Sequence, residues 1–80
     1  MSDLYQELLG YKMEVIRKKE GVSQEFVGNL LNCTPSKISY YESGKRKLSI
    51  LDALRFCRIF CIDIAWFLSV NDPFRIKNEA

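Results

Sequence analysis

Residues 23–47, SQEFVGNLLNCTPSKISYYESGKRK, decide the architecture. Ser23 offers a side-chain oxygen to cap a helix, and Glu25 follows in the first turn, where the positive end of the helix dipole favours an anion. Phe26, Val27, Leu30 and Leu31 come next at helical spacing, and Asn32-Cys33 breaks the run. Thr34-Pro35 restarts it: threonine supplies the cap, and proline at the first helical position loses no needed N–H and presets its own φ. Ile38 and Tyr41 are the inward residues of this second short helix, and Gly44 stops it. The stretch reads as two short helices across a tight break, followed by the basic run Lys45-Arg46-Lys47.

Three further helices flank this pair, with no strand alternation. The first spans about residues 3–20, with Leu9, Met13 and Ile16 as its apolar stripe and Tyr5 extending the stripe backwards. Gly10 interrupts the pattern at a cost of about 1 kcal/mol relative to alanine. Either the helix starts near Gly10 or a neighbour packs closely there. Gly21 ends it. Ser49 caps a fourth helix reaching about Phe60, with Asp52 placed as in a capping box. A fifth covers about residues 64–69, and Asn71-Asp72-Pro73 forms a turn. The expected fold is all-α: one five-helix domain over residues 1–80, with its core at 9–68, a short extension at 1–8 and a tail at 69–80. A chain of 80 residues buries only about 60% of its unfolded surface, so a second copy would add stability.

Composition narrows the function classes. Hydrophobic residues make up 48% and charged residues 28%, a globular balance. The net charge of +2 says little by itself. From residue 34 to 47, however, Lys37, Lys45, Arg46 and Lys47 face one acid, Glu42, and such a local positive field attracts phosphate. Cys33, Cys57 and Cys61 are odd in number and do not read as a disulfide framework. Cys57 and Cys61, four apart and without any histidine in the chain, make a poor zinc site and read as core residues. No metal or cofactor is expected. With no histidine, no phosphate-cradling glycine loop and no nucleophile beside a base, an enzyme is not expected either. No signal peptide or apolar run of about 20 residues stands out, which makes the cytoplasm the default location.

The helix pair has a mechanical use. The major groove of DNA is about 12 Å wide and admits one helix, while the preceding helix lies across the groove mouth. The inserted helix must show small or polar side chains near its N-terminus. Thr34, Ser36, Lys37 and Tyr40 do so, opposite Ile38 and Tyr41. The expected partner is therefore double-stranded DNA, with the basic loop Lys45-Arg46-Lys47 on phosphate.

At this point the sequence resembles a known family. Residues 16–25, IRKKEGVSQE, and 38–46, ISYYESGKR, are similar to the two signatures of the Cro and phage-repressor helix-turn-helix family, also called XRE. Residues 62–68, IDIAWFL, are similar to its last helix. The resemblance covers about residues 9–68 and implies a lambda-repressor-like domain. It implies that Gln24 contacts a phosphate and braces the recognition helix. It also implies that Pro35, Ser36 and Tyr40 face the bases, with Lys37 and Ser39 flanking them. Ser43, Lys45 and Arg46 match phosphate-contacting positions, and Arg17 with Glu42 matches an internal ion pair. There are departures. Pro35 and the short Ser36 cannot bond bidentately to a base edge, which shifts the expected reading onto Lys37, Tyr40 and DNA shape. Gly28 stands where the family favours alanine, and Phe26 and Leu30 stand where it is usually polar.

These readings converge on a small transcriptional regulator. It is expected to act as a repressor that binds a palindromic operator as a homodimer, without a small-molecule ligand. The expected dimer surface is the fifth helix and tail, through Trp66, Phe67, Phe74 and Ile76, and the fourth helix also carries more apolar residues than one stripe needs. The competing reading is a protein-interaction module, such as an antitoxin or a controller that activates. Phe26 and Leu30, one turn apart, either pack on the first helix or tail, or form a partner surface.

Overall fold

The computed structural model describes residues 3–70. Within them the chain forms α1 (Leu4–Lys19), α2 (Gln24–Leu31), α3 (Pro35–Ser43), α4 (Ile50–Ile59) and α5 (Ile64–Leu68). Each helix begins on a side-chain cap: Asp3, Ser23, Thr34, Ser49 and Asp63 accept from backbone N–H groups one turn in. Sequence reading places the caps Ser23, Thr34 and Ser49 correctly and overlooks Asp63. Among the described residues no helix is long and apolar enough to cross a membrane.

The core is a single cluster to which every helix contributes. Leu9, Met13 and Ile16 come from α1, Val27 and Leu31 from α2, and Ile38 and Tyr41 from α3. Ala53, Phe56 and Cys57 come from α4 and Phe67 from α5. Tyr5 does not extend the α1 stripe inwards. It lies at the surface and donates its hydroxyl to the carbonyl of Leu68, fastening α5 to α1.

Gly10 does not start the helix; it is the point of closest approach. A Cβ there would lie 2.0 Å from the carbonyl oxygen of Tyr41 and 2.7 Å from that of Glu42, so α3 rests directly on the backbone of α1. Gly28 has the same office toward the break between α2 and α3, where a Cβ would lie 2.7 Å from the Cys33 carbonyl. Asn32 takes the left-handed conformation that turns the chain between the two helices.

Lys12 is fully buried, on the same face as Leu9, Met13 and Ile16. Its ammonium donates to the carbonyls of Trp66 (2.9 Å), Phe67 (3.0 Å) and Ser69 (2.8 Å), and lies 4.7 Å from the centre of the Trp66 ring. It thereby gathers the carbonyls at the end of α5, one of which, that of Trp66, also accepts from the Ser69 N–H and hydroxyl. Burial lowers its pKa below the usual lysine value. Phe67 is 0% exposed, packed against Phe56 at 5.9 Å between ring centres. That corrects its assignment to a dimer surface, because it has no accessible area to offer a second copy. Phe74 and Ile76 lie outside the described residues.

Candidate nucleic-acid interface

The α2–α3 pair is held by a small charged network. Glu42, buried near the end of α3, accepts from Arg17 Nε (2.7 Å) and Nη2 (3.2 Å). Arg17 Nη1 also donates to the Val22 carbonyl at 2.9 Å, so one side chain ties α1, α3 and the turn before α2. Gln24 Nε2 donates to Glu42 Oε1 at 3.0 Å. The ion pair expected from sequence is therefore present, and Gln24 braces α3. An amide NH2 has two hydrogens, which leaves one for an outside acceptor.

The face of α3 turned to solvent carries Thr34, Pro35, Ser36 and Tyr40. Tyr40 is 49% exposed, whereas its neighbour Tyr41 is buried. Thr34 spends its hydroxyl oxygen on the cap, accepting from Lys37 N at 3.1 Å. Ser39 is half-buried and Ser43 exposed, with the Ser43 hydroxyl donating to the Tyr40 carbonyl at 3.2 Å. Lys45, Arg46 and Lys47 are all exposed. Their loop is anchored at its root: Lys45 N and Arg46 N both donate to the Tyr40 carbonyl, at 3.0 and 3.3 Å. Its far end is fixed by Gln6, whose Oε1 accepts from Leu48 N at 2.8 Å.

Lys37 departs from the rest. Its side chain is only half-exposed and its Nζ lies 3.7 Å from Asp52 Oδ2 on α4. The same Oδ2 accepts from the Tyr41 hydroxyl at 2.6 Å. Burial, and then the hydrogen bond and charge of Asp52, hold the Tyr41 phenol above its usual pKa. In sequence, Asp52 is placed as in a capping box. Ser49 does accept from Asp52 N at 3.1 Å, but the Asp52 carboxylate goes to Tyr41. Sequence reasoning misses this buried contact because the two residues come from different helices, eleven positions apart.

Phe26 and Leu30 on α2 are 46% and 44% exposed, and α4 exposes Ile50, Leu51, Leu54 and Ile59.

Comparison with known proteins agrees with this architecture. The model of the helix-turn-helix domain family matches residues 8–65. No curated protein matches the chain in sequence. Solved structures with the same fold include the clp gene regulator ClgR from Corynebacterium glutamicum (23% identity, 82% of this chain and 86% of that one, TM-score 0.75). The restriction-modification controller protein C.AhdI from Aeromonas hydrophila is 22% identical over 84% of this chain and 100% of its own, with a TM-score of 0.74. The hypothetical transcription factor NHTF from Neisseria is 16% identical, covering 94% and 84%, with a TM-score of 0.78.

Proposed function

The chain belongs to the helix-turn-helix domain family, and from that premise we propose that it binds double-stranded DNA sequence-specifically, with α3 in the major groove, as a small transcriptional repressor. The observation that carries this reading is the division of labour around Tyr40. Its side chain projects into solvent from α3, while its carbonyl anchors the basic loop that follows. Ser36 and Tyr40 read bases, with Thr34, Pro35 and Ser39 shaping the contact. Gln24, Ser43, Lys45, Arg46 and Lys47 grip phosphate.

The chain works as a homodimer on a palindromic operator in the cytoplasm of a bacterial or phage-infected cell. Apolar side chains on the exposed face of α4, with Trp66 and the tail residues Phe74 and Ile76, supply the dimer surface. No small-molecule ligand takes part.

Selecting bound duplexes from a pool of random DNA tests all of this. The expected product is an inverted repeat with half-sites about 34 Å apart. Absence of any enriched sequence, together with binding indifferent to salt, would sink the reading.

A second reading draws on Phe26 and Leu30, whose exposure on α2 suits a protein partner, as in an antitoxin or a controller that activates. A protein described as a restriction-modification controller shares this fold. A hydrophobic partner complex would hardly respond to salt, which separates the two.

A further inference from the structure

Lys37 stands on α3, where a cation would strengthen any grip on DNA, yet its charge is already engaged. Nζ is 3.7 Å from Asp52 Oδ2 and 5.6 Å from the centre of the Tyr41 ring. The Asp52 side chain is almost wholly buried and sits on the Tyr41 hydroxyl. Its other cation, Arg55, is 3.9 Å away and half exposed, so water screens it. Moving the ammonium to a phosphate would leave this buried carboxylate with only the Tyr41 hydroxyl and the exposed Arg55, a cost that opposes the move. Lys37 is therefore held by α4.

We propose that Asp52 is a specificity-determining residue that acts through Lys37: it keeps the ammonium off the DNA, so that the groove face of α3 presents only the uncharged Thr34, Pro35, Ser36 and Tyr40. This rests on the DNA-binding reading above and removes Lys37 from the base-reading set. A free lysine there would add a contact to the backbone of every duplex, raising affinity for wrong sequences as much as for right ones. The tether keeps non-specific binding low at a position that composition alone assigns to phosphate attraction.

The test compares the unmodified chain with Asp52→Asn, which retains an acceptor for Tyr41 but not the charge. Glu20→Gln, on an exposed acid, makes the same charge change without freeing a lysine. Each is titrated over a range of salt with the selected operator and with an unrelated duplex. Asp52→Asn is expected to bind the unrelated duplex about tenfold more tightly, with a salt slope steeper by about 0.9, the value for one added phosphate contact. Glu20→Gln should show neither change. The gain should vanish in the double variant Asp52→Asn/Lys37→Gln. Asp52→Asn behaving like Glu20→Gln overturns the proposal, and so does a gain that survives in the double variant, which would belong to Arg55.

A second measurement needs no DNA and only the unmodified chain. Under limiting acetic anhydride, Lys37 should be acylated at least several-fold more slowly than Lys45. Equal rates overturn the tether. Failure of the unmodified chain to bind any duplex in a salt-dependent way is a different result: it overturns the DNA-binding reading and with it the specificity role, even if Lys37 is protected.

Discussion

Arg17 meets Glu42 through two of its nitrogens, Nε at 2.7 Å and Nη2 at 3.2 Å, across the contact between α1 and α3. The Glu42 carboxylate receives Gln24 as well, so the element proposed to enter the groove and the residue proposed to hold its mouth share one anchor. Both ionic side chains are largely buried, which makes the pair costly to break from one side.

Arg17→Ala and Glu42→Ala are each expected to lower unfolding stability by about 3–5 kcal/mol, because each leaves a buried charge without its partner. The joint replacement Arg17→Met with Glu42→Leu should recover most of the loss. Urea titration followed by circular dichroism checks this. A joint variant as unstable as the sum of the single ones would contradict it.

Gly10→Ala should destabilise the fold even though alanine favours helix by about 1 kcal/mol. Its Cβ would lie 2.0 Å from the Tyr41 carbonyl, a backbone atom that cannot move without displacing α3. A loss of about 3 kcal/mol or more is expected, within the range of severe overpacking. A thermal melt equal to that of the parent would mean that α1 and α3 are less closely apposed.

Lys12→Met keeps the bulk of the side chain and removes the donor to the carbonyls of Trp66, Phe67 and Ser69. The expected cost is about 1–3 kcal/mol, the range for buried acceptors left unmet. It should be concentrated in α5. Hydrogen exchange should quicken at Phe67 and Leu68 more than at the α3 amides. Uniform quickening would argue against a local pin.

Tyr40→Ala is expected to change the preference between operators more than the overall affinity, whereas Arg46→Ala should weaken all sequences alike and flatten the salt dependence by about 0.9 for the phosphate it no longer neutralises. Titrations against the selected operator and its single-base variants distinguish these. Unchanged discrimination after Tyr40→Ala would remove that residue from base reading.

Cys57 supplies a pH-dependent term. Burial, with Asp63 nearby, pushes its thiol from 9.0 up to about 11. The unfolded chain then loses this proton first, and the folded state binds more protons between those values, so stability falls as pH rises through the window. The full contribution, about 2–3 kcal/mol by the usual 1.36 kcal/mol per unit, is present below pH 9 and gone above about pH 11. Subtracting the urea midpoints of Cys57→Ala from those of the parent across this range isolates it; a pH-independent difference would refute it.

The helices were legible because their starts and stops are written locally. Ser23, Thr34-Pro35, Gly44 and Ser49 each settle a boundary through bonds made within one turn. Gly10 posed a choice that only the neighbour could resolve, and that neighbour is backbone from α3. Lys12 did carry a signal: residues 9, 12, 13 and 16 share one helix face, so a lysine among them stood at a core position. Its partners are not legible in the same way, because its acceptors are carbonyls more than fifty residues away, which leave no mark on side-chain identity. Phe67 failed for the opposite reason. Aromatic residues on a five-residue helix look excessive until Phe56 is seen packed against Phe67. On the candidate interface, sequence chose which side chains are polar but not which were already engaged, as Lys37 is.

The carbonyl of Tyr40 holds the loop while its phenol stands free. Main-chain atoms are common to almost every amino acid, so the anchor would persist whatever side chain position 40 carried. On the proposed DNA-binding reading, a lineage of such proteins would acquire new targets by single exchanges at this residue without rebuilding its hold on the duplex. If Tyr40 reads bases as proposed, randomising position 40 would yield altered operators in a scaffold whose footing stays constant.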